Sequence, residues 1–246
     1  MTEYAKEAGH WYDKDGNPCY TLIGKNGKER NTTLADARKL RLLPSVTTII
    51  RCAAAPGLER WKQQQVLHAA LTLPLIPGES EDAYLDRIMK DSQEQGKKAA
   101  ERGTAIHGAL ERRDDTGPYA EHVKAAYGAI EREFGVLKWQ AENSFAHEWG
   151  FGGKVDLHSA DAQGWVLDFK TTDKDIETVK TWDEHHLQLA AYRRGLDLRS
   201  ARCAIVYVSV DGKAKVIELT QDELQRGWLM FHSLLNYWYY KSGLMR

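Results

Sequence analysis

Several things are scarce in this chain, and each scarcity excludes something. Three cysteines in 246 residues, Cys19, Cys52 and Cys203, are odd in number and far apart. They predict a reducing compartment and no disulfide framework. Three is one short of the four thiolates that hold an iron–sulfur cluster, so that cofactor is excluded. Cys/His pairs at ligand spacing are missing too, which argues against zinc. No apolar run reaches about 18 residues, so no membrane span is expected. Residues 1–7 show no basic start followed by an apolar stretch, so no secretory leader is expected. No G-x-x-x-x-G-K-[ST] loop occurs, which excludes an ATP motor within the chain. Net charge is scarce as well: 34 Lys+Arg against 35 Asp+Glu give −1. Bulk electrostatic capture of nucleic acid is therefore not expected, although a local basic groove is not excluded.

The composition is globular, neither disordered nor collagen-like, with 42% hydrophobic and 28% charged residues. Residues 10–31 read as a hairpin region around Asp15-Gly16-Asn17-Pro18. A short helix over 32–43 is expected, capped by Thr33 and ended by Pro44. Ser45 is a natural cap for the next segment. Helices are expected over 57–71, over 79–113 in two pieces around Gly96, and from Pro118 to Phe134. Strand-like alternation covers 138–170, and a helix returns at 183–196. Two strands, 201–209 and 213–219, flank Asp211-Gly212, followed by a helix over about 220–240. The pattern predicts a helical N-terminal region wrapped on an α/β core that starts near residue 92.

The chemistry concentrates in Phe151–His158 and Gly164–Lys170. Period-two alternation puts Trp165, Leu167 and Phe169 on one face of a strand and Asp168 and Lys170 on the other. In the preceding strand Val155 and Leu157 are expected opposite Lys154, Asp156 and His158. A three-residue turn at 161–163 sets Asp156 directly across from Asp168. Opposed Cβ atoms lie about 4.5–5.5 Å apart, so the two carboxylates repel unless a cation sits between them. Both reach one Mg²⁺ in such a pair. Taken alone, the hairpin reads more readily as a solvated polar face.

Two helices add polar groups. His107 and Glu111 share a face in Arg102-Gly103-Thr104-Ala105-Ile106-His107, continued to Glu111. Such a histidine offers an imidazole to a metal, a ligand that Mn²⁺ tolerates. Gln188 and Tyr192 share another helical face and offer amide and hydroxyl groups. His185 and His186 are adjacent, so their side chains diverge.

In this order the pieces resemble the PD-(D/E)XK nuclease superfamily, in particular RecB-type and phage-type exonucleases. The matching stretches are Arg102–His107, Gly153-Lys154-Val155-Asp156, Asp168-Phe169-Lys170 and Gln188-Leu189-Ala190-Ala191-Tyr192, preceded by Leu43-Pro44-Ser45-Val46-Thr47. The resemblance spans about residues 43–210. It implies an α/β fold of restriction-endonuclease-like type, a mixed central sheet flanked by helices, at 92–246. Residues 1–91 would be a hairpin and helical region packed on that core. It implies one or two Mg²⁺ or Mn²⁺ ions on His107, Asp156, Asp168 and the Phe169 carbonyl. Lys170 would activate or position the attacking water, supported by Gln188 and Tyr192. Ser45, Thr47, Arg102, Thr104 and Arg193 are the expected DNA contacts. Two departures stand out: the second acid is Asp168 where many relatives have Glu, and Val155 replaces the proline of the family name. The implied activity is metal-dependent DNA exonuclease, processing ends in phage or bacterial recombination or repair. The implied setting is the cytoplasm of a bacterium or phage-infected host, with a single-strand annealing or recombination protein as partner. An endonuclease of the same fold and a non-catalytic DNA-binding assembly protein remain alternatives, and oligomeric state stays open.

Overall fold

The computed structural model describes residues 9–159 and 164–244. The expected turn at 161–163 lies outside them. The N-terminal region begins with β1 (Trp11–Tyr12), β2 (Thr21–Ile23) and β3 (Glu29–Asn31). The hairpin is β2–β3, closed around Gly24–Gly27, not a pair flanking Asp15–Pro18. The Asp15–Pro18 turn instead returns the chain to a bridge between Tyr12 and Pro18. Helix α1 (Leu34–Leu40) starts at a Thr33–Asp36 capping box. It ends at Arg41, whose left-handed φ of 55° stops it before Pro44. Pro44 itself lies in β4 (Leu43–Pro44), which pairs with β1. Ser45 then caps α2 (Val46–Ile50) by accepting the Thr48 N–H at 3.0 Å.

Next come α3 (Pro56–Thr72), α4 (Glu81–Arg112) and α5 (Ala120–Phe134). The expected break at Gly96 does not occur: α4 is one 32-residue helix. Gly96 faces the Trp61 ring of α3, so its missing side chain accommodates helix packing and not a kink. The position between residues 91 and 92 falls inside α4. Helix α5 begins two residues after Pro118, with Tyr119 at the cap position.

Five strands form the central sheet: β5 (Trp139–His147), β6 (Phe151–Ser159), β7 (Trp165–Thr172), β8 (Arg202–Ser209) and β9 (Ala214–Leu219). Their spatial order follows the chain. Neighbours are antiparallel except β7 and β8, which run parallel. A parallel pair needs a long crossover. Helix α6 (Asp183–Gly195) supplies it, and α7 (Gln221–Ser242) closes the chain from a Thr220–Glu223 capping box. The turn between β8 and β9 uses Gly212 at φ 81°, as Asp-Gly predicts.

The sheet has two apolar faces. One packs Ile106, Leu110, Val123 and Ile130 of α4 and α5 against Leu167, Phe169 and Val206. The other packs Ile49, Leu189, Phe231 and Leu235 of α2, α6 and α7 against Phe151, Val166 and Ile205. Trp11, Ala37 and Leu42 join that second core, so the N-terminal region shares it. Gly152 permits this approach, because a Cβ there would meet the Tyr12 ring at 2.7 Å. The architecture is thus mixed α/β, with a mixed five-stranded sheet flanked by helices, as expected.

Strand β6 departs from simple alternation. Val155 packs in the α6–α7 core, whereas Leu157 packs in the α4–α5 core. The two were expected on one face. The ladder with β5 pairs Ala141 with Leu157 and Asn143 with Val155, skipping Glu142 and Asp156. Glu142 takes φ 58°, and this left-handed residue shifts the phase of side chains on both strands.

Candidate active site

The recorded β6–β7 register is the expected one, pairing Leu157 with Leu167 and His158 with Val166. The ladder stops there, one pair short of Asp156 and Asp168. Asp156 causes the separation: its Oδ2 accepts the Phe169 N–H at 2.8 Å, in place of a strand carbonyl. A buried carboxylate requires donors, and this one takes a backbone donor from the neighbouring strand. The two acids are therefore staggered, not laddered.

Asp168 is buried, and two polar groups hold it. Gln188 Nε2 donates to its Oδ1 at 2.8 Å. Lys170 Nζ lies 2.5 Å from its Oδ2. Gln188 also accepts from Lys170 Nζ through Oε1 at 3.0 Å and donates from Nε2 to the Tyr192 hydroxyl at 3.0 Å. One amide thus fixes the acid and the lysine together. Tyr192 is buried behind this amide, and its role here is to anchor Gln188.

Helix α4 brings the second cation. His107 Nε2 lies 3.1 Å from Asp156 Oδ2, and Nδ1 lies 2.9 Å from Glu111 Oε1. The hydrogen bond to Asp156 raises the His107 pKa to about 9, against burial and with help from the nearby acids. Burial pushes Asp168 up to about 6; Asp156 adds to this and Lys170 opposes it. Burial pulls Lys170 down, but Asp168 and Asp156 outweigh it and leave the pKa raised. Beyond His107, Glu111 comes within 4.0 Å of Lys154 Nζ, which also pairs with Glu142. Carboxylates and cations therefore alternate across the site.

A cleft of about 670 Å³ opens beside this site, lined by Gly103, Thr104, His107, Glu111, Arg112, Phe169, Lys170 and Thr171. Small residues on α4 leave its wall open. A second hollow continues it past Gly103 and is lined by Trp61, Arg102, Thr171 and Asp173.

The structure brings His107, Asp156, Asp168, Phe169, Lys170, Gln188 and Tyr192 together. Thr104 and Arg102 lie on the cleft walls. Arg193 does not join them: it is buried, and its Nη1 donates to Ala201 O and Gln221 Oε1. Ser45 is buried beside Gly152, and its Oγ is engaged with Thr47 and Thr48 hydroxyls. Neither Ser45 nor Thr47 lines the cleft. Sequence reasoning assigned no role to Glu111, Arg112, Trp61 or Thr171. The i, i+4 spacing of His107 and Glu111 was the available signal for the first.

Among the described residues, no three His, Cys, Asp or Glu side chains converge as a ready-made metal cage. Lys170 and His107 occupy the positions next to the acids. The donor chemistry nonetheless fits a hard divalent cation. Asp168 Oδ2 is buried without an aligned hydrogen bond, and so retains acceptor capacity for a cation. Two carboxylates, an imidazole and the Phe169 backbone complete a mixed O/N set.

No family model matches the sequence, and no curated protein matches it. Among solved structures, a presumed exonuclease from Eubacterium rectale aligns at 16% identity and a TM-score of 0.36. That match covers 52% of this chain and 55% of the other, so the chain spans about half of that protein. An alkaline exonuclease from Laribacter hongkongensis aligns at 15% identity and a TM-score of 0.34, over 75% of this chain and 98% of that one. Likeness this slight carries no argument about activity. No helix among the described residues is long and apolar enough to cross a membrane.

Proposed function

We propose that the protein is a metal-dependent deoxyribonuclease of the PD-(D/E)XK type, acting on DNA ends. The observation that carries this reading is the hydrogen-bonded placement of Asp168, Lys170 and Gln188 next to the Asp156–His107 pair, with Lys170 and His107 lining one cleft. Asp156, Asp168, His107 and the Phe169 carbonyl would hold Mg²⁺ or Mn²⁺. Such an ion supplies charge stabilisation at the phosphate and lowers the pKa of a bound water.

The chain's own groups have separate tasks. Lys170 presents an ammonium at the cleft floor, where a phosphodiester's negative charge is stabilised. Gln188 holds that ammonium and Asp168 in fixed relation. Glu111 holds His107 through Nδ1, so Nε2 faces Asp156. Arg112 and Arg102 stand further along α4 and attract phosphates on either side of the acids. Near-zero net charge accords with local, not bulk, attraction. A role in phage or bacterial recombination, with an annealing protein as partner, belongs to the same reading.

Digestion of end-labelled linear and closed circular DNA with Mg²⁺ or Mn²⁺ tests it. Linear DNA should be degraded, circular DNA spared and EDTA should stop the reaction. Asp168→Ala and Lys170→Ala should lose cleavage while keeping the wild-type circular-dichroism spectrum. Cutting of circular DNA would favour an endonuclease. Full activity in either variant would overturn the assignment of the site. No cleavage, together with no Mn²⁺ binding, would favour a non-catalytic DNA-binding protein.

A further inference from the structure

The hollow next to the cleft is not needed to hold or cleave a phosphodiester, yet its walls carry specific chemistry. Trp61 comes from α3 and stands over α4, where Gly96 admits its ring at ordinary contact distance. The ring then borders a hollow floored by Ala99 and Gly103 and edged by Thr171, Thr172 and Asp173. A side chain at position 103 would crowd this floor, since its Cβ would lie 3.0 Å from Thr171 Oγ1. Arg102 lines the same hollow and makes no ion pair among the described residues. The hollow and the main cleft share Ala99, Gly103 and Thr171, so they form one path. Gly103 precedes His107 by four residues, or about 6 Å of helix.

An indole in the wall, a floor of small residues, hydroxyl and carboxylate groups at the rim and a guanidinium outside any ion pair together match one ligand class. A nucleobase stacks on an indole whatever its identity, and its phosphate pairs with an arginine. A base stacked within a duplex has both faces covered by its neighbours, so it cannot offer one to the indole. We propose that the hollow between Trp61 and Thr171 is a nucleobase subsite, which receives an unpaired base of a DNA strand whose backbone runs past His107. Trp61 is the stacking platform, and Arg102 takes the adjoining phosphate. This rests on the nuclease reading for its direction along the strand, and it adds the substrate class: a single-stranded terminus or a frayed end.

Fluorescence anisotropy with labelled single-stranded oligonucleotides tests it without requiring cleavage. In the wild-type protein, an abasic residue is moved one position at a time along the oligonucleotide. One position should weaken binding about 5- to 150-fold, the range of a lost base–aromatic stack. Trp61→Ala should weaken binding to the intact oligonucleotide by the same factor and abolish the effect of the abasic residue. Trp61→Phe should retain most of the affinity. A flat abasic scan in the wild type, or no single-strand binding at all, would overturn the subsite. So would a Trp61→Ala protein that still senses the abasic residue. Absence of DNA cleavage with an intact positional scan would remove the nuclease reading and leave the subsite standing.

Discussion

Glu142 stands directly across from Asp156, at the position where the β5–β6 ladder is interrupted. Its φ of 58° is uncommon for a residue with a Cβ. Its side chain pairs with Lys154, and burial holds its carboxyl above the usual carboxylate range despite that partner. The kink turns Asp156 toward His107 and the Phe169 N–H, where regular pleating would send Leu157 and Val155 to one face.

The cost of that conformation can be measured. Both Glu142→Gly and Glu142→Val remove the Lys154 partner, so its loss cancels between them. Glycine accepts a left-handed conformation and a β-branched residue resists it. Glu142→Val should be less stable than Glu142→Gly by about 1–2 kcal/mol. Urea unfolding of the two variants checks this. Equal midpoints would mean that the strand relaxes to regular pleating.

His107 makes the metal-free protein sensitive to pH. Its folded pKa is raised to about 9 by the hydrogen bond with Asp156, against an ordinary value of 6.5. The folded state therefore holds more protons than the unfolded chain between those values. Stability from this group is complete below about pH 6.5 and is lost as pH rises through 9. His107→Asn should flatten the wild-type decline over that window, by on the order of 2 kcal/mol. Thermal unfolding in EDTA at stepped pH measures it. A decline of equal depth in the variant would place the proton elsewhere.

Much of this site was legible from strand pattern. Period-two alternation placed Leu167 and Phe169 opposite Asp168, and the hairpin register followed from turn length. Spacing on helices placed Gln188 beside Tyr192 and His107 beside Glu111. The rest depended on tertiary contacts. No local preference marks Glu142 for a left-handed conformation, so the phase shift at Asp156 was invisible. Arg193 looked like a phosphate contact because charge is readable and burial is not. Gly96 looked like a helix break because its partner, Trp61, lies 35 residues away in the chain.

Gln188 and Tyr192 should separate by experiment. Gln188 bridges Asp168 and Lys170, whereas Tyr192 touches neither and accepts from Gln188. Tyr192→Phe removes one acceptor and should cost about 1 kcal/mol of stability, with cleavage within a few-fold of wild type. Gln188→Ala frees both charged groups and should lower cleavage of linear DNA by at least tenfold at saturating substrate. Comparable losses of activity in the two variants would show that Gln188 cannot hold Asp168 and Lys170 without the tyrosine hydroxyl.

Arg112 offers the cleanest check of how the cleft meets DNA. It lines the cleft five residues beyond His107 on α4 and makes no ion pair among the described residues. Its guanidinium end lies beside Gly108, where a Cβ would come within 3.1 Å of it, so the small residue leaves it room. A phosphate contact of this kind carries no sequence information, and its loss weakens all sequences alike. Each such contact also contributes close to one counterion to the salt dependence of binding. Arg112→Ala should reduce the slope of log K against log salt by about 0.7 on single strands, and weaken binding uniformly across oligonucleotides. Anisotropy titrations at several salt concentrations read both quantities. An unchanged slope would move the strand off this end of α4 and confine the phosphate track to the Arg102 side.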